Sequence, residues 1–166
     1  MALEAAFEDF YRREHPRVLA SMTLVAGALE PAQEATDEAF ARAWDRWERV
    51  SEMTAAGGWV YRVALNVVRR RARRARLERA LLLRRVEPEA VPPSAEEVWQ
   101  LVAALPERQR VAVVLRYVGD LPEREVAVAM GVARGTVAAT LATARARLRT
   151  MLDEAPPSPT LGGLHD

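Results

Sequence analysis

The stretch Leu105–Leu148, LPERQRVAVVLRYVGDLPEREVAVAMGVARGTVAATLATARARL, decides the fold. It holds two helix patterns flanking a glycine turn, at the spacing of a helix-turn-helix. Ala127 is the small residue that lets the two helices approach closely. Gly131 can take the positive φ that other residues resist. Val137 is the apolar residue that tucks the second helix against the first. The second helix of such a unit commonly enters the DNA major groove. A plain helical hairpin also fits, because Ala-x-x-x-Gly by itself is a loose pattern.

Outward from this stretch the pattern stays helical, and no alternating strand pattern persists. A first helix is expected over Leu3–Leu24, carrying Phe7, Phe10, Tyr11, Val18 and Met22 near one face, with Pro16 kinking or splitting it. A second runs from Pro31 to Val50, with Phe40, Ala43, Trp47 and Val50 at three- and four-residue steps. Ser51–Gly58 reads as a loop. A third helix starts near Trp59 and runs towards Leu83. Val86–Ser94 holds three prolines and no periodicity, so it reads as a linker. The expected architecture is all-α, two small helical domains at residues 1–85 and 95–152. A flexible linker at 86–94 joins them, and a disordered tail follows at 153–166.

Composition narrows the chemistry. The chain has 166 residues, enough for one ordinary domain or two small ones. There is no Cys, which excludes disulfides, thiolate metal sites and thiol catalysis. His15 and His165 are far apart in the sequence, so no His-based metal or catalytic site is expected. No apolar run approaches the roughly 18 residues of a membrane span. The acidic, amphipathic N-terminus is unlike a secretory signal. These features point to a cytoplasmic protein with no cofactor, no small-molecule substrate and no membrane insertion. The carboxylates lie on amphipathic helices, which gives a catalytic reading little support.

The net charge is only +1, but its distribution is uneven. All 24 basic residues are Arg, and nine of them fall between Arg69 and Arg85 against one acid, Glu78. Acids concentrate in Glu4–Glu14 and Glu30–Glu52. In the third helix, Trp59, Val60, Val63, Ala64 and Val67 form an apolar stripe for a core. Arg62, Asn66, Arg69 and Arg73 form one continuous opposite stripe. Asn66 is the only Asn in the chain. A lone amide among guanidiniums suits a base edge, with the Arg residues on phosphates. A solvated Arg face is the plain alternative. Such a density of like charge repels itself unless a polyanion neutralises it.

Three motifs in this order resemble the extracytoplasmic-function sigma factors of the bacterial sigma-70 family. AQEATDEAFARAW (Ala32–Trp44) resembles their acidic helix that grips the polymerase clamp. WVYRVALNVVRRRARR (Trp59–Arg74) resembles the helix that melts and reads the −10 promoter element. Leu105–Val137 resembles the −35-reading domain. The resemblance covers Phe7–Arg76 and Val98–Leu152. It implies a region 2 domain, a region 4 domain, and a protein that directs core RNA polymerase to promoters and is not itself an enzyme.

The resemblance also implies roles. Asp37, Glu38, Phe40, Arg42 and Trp44 would face the polymerase clamp, although Phe40 and Trp44 fit a core equally well and Trp47 fits one better. Trp59 and Tyr61 would lie in the melting segment, with a packing role open for Trp59. Asn66 would capture a flipped −10 base, in a pocket completed by Ser51–Gly58. Arg62, Arg69, Arg70, Arg73 and Arg74 would hold the DNA backbone. At the −35 element the corresponding positions are Arg134, Thr136, Ala138, Ala139, Thr143, Arg145 and Arg147. An anti-sigma factor is the implied regulator, beside core RNA polymerase and promoter DNA.

The chain departs from the family where the second helix of the motif faces outward. Lys or Arg is usual at several positions there; this chain has Ala138, Ala139, Thr140, Ala142 and Thr143. The helix N-terminus still favours a phosphate, and Ala and Thr can touch thymine methyls. Weaker −35 binding than the family norm is expected. Two other classes therefore stay open. One is a sigma-like interaction module that reads no −35 element. The other is a dimeric helix-turn-helix regulator, which would not need the acidic and Arg-rich helices.

Overall fold

A computed structural model describes residues 2–81 and 97–154. Eight helices make up these residues: α1 (Ala2–Ala26), α2 (Leu29–Trp44), α3 (Trp47–Ser51), α4 (Ala56–Leu81), α5 (Glu97–Ala103), α6 (Glu107–Tyr117), α7 (Glu123–Met130) and α8 (Arg134–Glu154). The expected linker 86–94 and most of the expected tail lie outside the described residues. Asp153 and Glu154, assigned to that tail, instead end α8.

In the first unit, α1, α2 and α4 pack side by side, with α3 across one end. The buried face of α2 is made of Ala32, Ala35, Thr36, Ala39, Phe40 and Ala43. Small side chains let α2 lie close to both neighbours. Thr36, buried among them, satisfies its hydroxyl by donating to the Ala32 carbonyl at 2.7 Å. Val18 and Met22 of α1 and Val60, Ala64, Leu65 and Val67 of α4 complete the core. Phe7, Phe10, Tyr11, Phe40 and Trp47 form an aromatic cluster at one end, the Phe10 and Trp47 ring centroids 5.0 Å apart.

Two expectations fail here. Pro16 does not split α1, which runs through it. A mid-helix proline costs about 3 kcal/mol, and burial of Val18 and Met22 in the core works against that cost. The expected single helix Pro31–Val50 breaks at Asp45–Arg46. Beyond the break Trp47 packs against Phe7 and Phe10, with ring centroids 5.2 and 5.0 Å away. The expected loop Ser51–Gly58 is correspondingly short, since Ser51 ends α3 and Ala56 opens α4.

The second unit is built on α6, α7 and α8, with α5 against α8. Val111, Val114, Leu115, Val126, Val137 and Leu141 are its core. Gly131 has φ 67° and ψ 38°, the left-handed conformation. Its N–H donates to Val128 at 3.2 Å and that of Val132 to Ala127 at 3.1 Å, the paired bonds that close a helix C-terminus. The chain then turns by 100° from α7 into α8. This is helix-turn-helix geometry. Ala127 and Val137 are buried as the motif requires.

Candidate nucleic-acid and polymerase interface

Three surfaces carry the expected site residues. On α2, Asp37 and Trp44 are exposed and Glu38 is half-exposed. Glu38 is shared: Arg42 pairs with it one turn along, and Arg70 of α4 reaches both its oxygens at 3.1 Å. Asp37 has the His15 imidazole 3.7 Å away. Phe40, expected on the clamp-facing surface, is a core residue with rings of Phe10, Tyr11 and His15 around it. Burial of Phe40 leaves Trp44 as the exposed aromatic of this face.

On α4, Arg62, Asn66 and Arg73 stand exposed in one line. Asn66 makes no hydrogen bond among the described residues, so its amide is free to meet a ligand. The expectation of a self-repelling, unpaired Arg cluster is corrected. Arg70 pairs with Glu38, Arg71 with Glu34, Arg74 with Glu78 and Arg69 with Glu107, the last at 3.1 Å. Three of these four acids come from outside the helix. Arg62, Arg73 and Arg76 keep no acidic partner among the described residues.

Tyr61 differs most from its expected role. It is fully buried, so in this arrangement it cannot meet DNA. Burial pushes its phenol up to about 12, against a smaller opposing effect of the neighbouring Ser21 hydroxyl. Trp59 is half-buried against the core.

On α8, Ala138, Ala139, Ala142, Thr143, Arg145 and Arg147 are exposed, and Thr136 is half-buried. The Thr140 and Thr143 hydroxyls donate back to the carbonyls of Thr136 and Ala139, at 2.7 and 3.0 Å. Methyl groups therefore dominate the outward face through its first turns. Arg134 is exposed at the helix start, with Glu123 3.9 Å away. Arg145 reaches the Tyr117 hydroxyl at 3.4 Å.

The two units also meet each other. α7 lies along α4, and α6 touches α1. The Gly58 N–H donates to a Glu125 carboxylate oxygen at 3.2 Å. Arg17 and Asp120 lie 4.0 Å apart, and the Arg69–Glu107 pair spans the same seam.

Comparison with known proteins fixes what these surfaces belong to. The family model for sigma-70 region 2 matches residues 10–78, and that for sigma-70 region 4 matches residues 95–148. The RNA polymerase sigma-E factor of Streptomyces coelicolor is 30% identical over 157 residues, covering 88% of this chain and 85% of that one. The ECF RNA polymerase sigma factor SigM of Mycobacterium tuberculosis is 30% identical over 151 residues, covering 89% and 77%. The chain belongs to the extracytoplasmic-function sigma factors of the sigma-70 family. As a member it is a transcription initiation factor and not an enzyme.

Solved structures share its fold. The sigma factor RpoE of Bartonella quintana, in complex with the anti-sigma factor NepR, superposes with a TM-score of 0.76 at 18% identity, covering 91% of this chain and 99% of that one. CnrH, in complex with the cytosolic domain of CnrY, superposes with a TM-score of 0.65 at 21% identity, covering 92% and 91%.

In this sigma factor α1–α4 are region 2 and α6–α8 are the body of region 4. Sequence reasoning missed the seam between them, including Gly58, Glu107, Gly119 and Glu125. One signal was present. Gly57–Gly58 is a poor helix opening, and two glycines where a helix begins mark a close backbone approach.

Proposed function

We propose that this sigma factor binds core RNA polymerase through α2, opens the −10 element with α4 and positions itself at the −35 element with α8. Asp37, Glu38, Arg42 and Trp44 supply the polymerase face, an acidic surface with one exposed indole. Asn66 captures an unpaired −10 base. Arg62 and Arg73 hold the strand on either side, and Arg69, Arg70 and Arg74 join them by exchanging carboxylate partners for phosphates. Extruding a base costs a few kcal/mol of unstacking, offset by hydrogen bonds and stacking in the pocket. At the −35 element Arg134 and the α8 N-terminus take a phosphate, the methyl face touches thymine methyls, and Arg145 and Arg147 hold backbone further along. An anti-sigma factor is the proposed regulator, by analogy with the complexes of the two solved relatives. Among the described residues no single helix is long and apolar enough to cross a membrane. The proposed place of action is the cytoplasm.

The observation that carries this reading is the line Arg62–Asn66–Arg73, exposed and unpaired on the face of α4 beside the acidic α2 surface. The test is in vitro transcription with core RNA polymerase and genomic fragments. Specific transcripts with −10 elements in common are expected. Absence of both core binding and transcripts sinks the proposal. A second reading, a sigma-like module that binds polymerase without reading a −35 element, is favoured by the methyl-covered face of α8. Core binding without specific initiation in the same assay would support it.

A further inference from the structure

The end of α4 carries two leucines that the promoter reading leaves unused. The line Arg62–Asn66–Arg73 continues one turn on to Leu77 and another turn to Leu81, since residues three or four apart share a helix face. Leu77 is 62% exposed and Leu81 82%, the two most exposed large apolar side chains among the described residues. They stand in water because α4 outruns its neighbour. Arg70 pairs with Glu38 and Arg71 with Glu34, so α4 and α2 run antiparallel. α2 begins at Leu29, five residues before Glu34, whereas α4 runs ten residues past Arg71. At 1.5 Å per residue, roughly 7 Å of α4 projects beyond the start of α2. Every residue from Arg76 to Leu81 is exposed.

Charge around the leucines is mostly of one sign. Arg73, Arg74, Arg76 and Arg79 stand against Glu78 alone, and Arg74 holds that acid at 3.0 Å. Arg73, Arg76 and Arg79 keep no acidic partner among the described residues. An Arg side chain can lay its apolar stem beside a leucine while its head reaches outward to an anion. The projecting tip therefore offers two apolar side chains ringed by guanidiniums. A DNA strand would take the guanidiniums and leave both leucines in water. A protein would need a hollow shaped for two projecting leucines with an acidic rim. A bilayer of anionic lipid supplies an apolar phase that needs no matching hollow, under a plane of phosphates.

We propose that the end of α4 is a peripheral membrane-binding tip. Leu77 and Leu81 enter the boundary between headgroups and acyl chains of an anionic bilayer, and Arg73, Arg76 and Arg79 hold lipid phosphates. The helix rests on the surface and does not cross it. Binding is reversible and salt-sensitive, because it uses two leucines and a few charges and no covalent anchor.

The test uses the full chain with vesicles of phosphatidylcholine containing about 30% phosphatidylglycerol, against phosphatidylcholine alone, at about 0.1 M salt. Co-sedimentation is expected with the anionic vesicles only. Leu77→Ser with Leu81→Ser should weaken it about tenfold. Helix content by circular dichroism should stay unchanged, since both side chains lie outside the core. Arg76→Gln with Arg79→Gln should weaken binding by a similar factor, and salt raised to about 1 M should abolish it. The absence of native Cys allows a polarity-sensitive dye to be placed on Ala80→Cys at the tip, or on Ala146→Cys in α8 as a control, both exposed positions. A blue shift with anionic vesicles is expected for the dye at the tip and not for the control. Three results would each overturn the proposal. One is no binding to the anionic vesicles, which leaves the tip to a protein partner. Another is a leucine variant that binds as tightly as the parent chain, which reduces the contact to the general polyanion attraction that DNA would also give. The third is a dye at the tip that stays in water while the chain is bound.

Discussion

α4 and α8 are the two long helices proposed to meet DNA, and they carry their polar groups in different places. α4 has its hydrogen-bonding side chains in mid-helix, with Asn66 between Arg62 and Arg73. α8 has Arg134 at its first residue and Arg145, Arg147 and Arg149 towards its end, with exposed Ala138, Ala139, Ala142 and Thr143 between. A helix of the first kind can read a base along its length. One of the second kind is held by its ends and meets bases mainly through methyl groups. The buried stripes do not differ in this way, because both helices are anchored by well-packed apolar residues. The helices differ in what they offer a ligand and also in burial, since α4 buries Val60, Tyr61, Ala64, Leu65, Val67 and Val68 while α8 buries Val137, Leu141 and Ala144.

The comparison can be tested in order of effect. Leu141→Ala empties a fully buried site under α8 and should cost about 2–5 kcal/mol. Chemical denaturation followed at Trp99, the one Trp in region 4, is expected to show the loss there. An equal shift in the fluorescence of Trp44, Trp47 and Trp59 would show that the two regions unfold as one. The raised phenol of Tyr61 gives a pH signature on the α4 side. Its folded pKa of about 12 lies above the ordinary 10.0 of the phenol, so the unfolded chain releases the proton first as pH rises. The stability contribution is complete below pH 10 and is lost between about 10 and 12, worth on the order of 2–3 kcal/mol. Denaturation midpoints across that window should fall in the parent chain and stay flatter in Tyr61→Phe.

Asn66→Ala should lower open-complex formation about ten- to a hundredfold, the 1–3 kcal/mol of a base contact, and should relax preference at one −10 position. Unchanged −10 preference in a promoter-variant series would remove Asn66 from that role. At the −35 element the expected effects are smaller. Scrambling it should reduce initiation less than scrambling the −10 element, and replacing its thymines by uracil should account for much of that reduction. A larger loss at −35 reverses the contrast between the helices. Smallest of all, Glu38→Gln should change folding stability by about 0–1 kcal/mol, as for most exposed ion pairs, while reducing core polymerase affinity in a binding titration.

Much of the fold was legible because it depends on local periodicity. Ala127, Gly131 and Val137 announce the helix-turn-helix, and each is found in the conformation or burial that its type implies. The line Arg62–Asn66–Arg73 follows from helical spacing alone. Phe40 was ambiguous for a reason that spacing cannot remove. Its spacing sets it with Ala43 and Trp47 while the resemblance sets it on the clamp surface, and the rings of Phe10, Tyr11 and His15 from α1 make it core. The break after Trp44 has no glycine or proline to mark it. Beyond it Trp47 still lies on the buried side, against Phe7 and Phe10.

The charge on α4 marks the same boundary. Counting along the chain finds one acid among nine arginines in 69–85. Folding brings Glu38 to Arg70 across 32 residues, Glu107 to Arg69 across 38, and Glu125 to Gly58 across 67. The sequence by itself determined the main apolar stripes, where the helix-turn-helix lies and which side chains share a face, because these follow from a 3.6-residue period and the conformational range of glycine. Only the tertiary structure decided which arginines are neutralised, that Tyr61 is enclosed and that region 4 covers the start of α4. Those outcomes depend on groups far apart in the chain, and neither periodicity nor composition carries the distance between them.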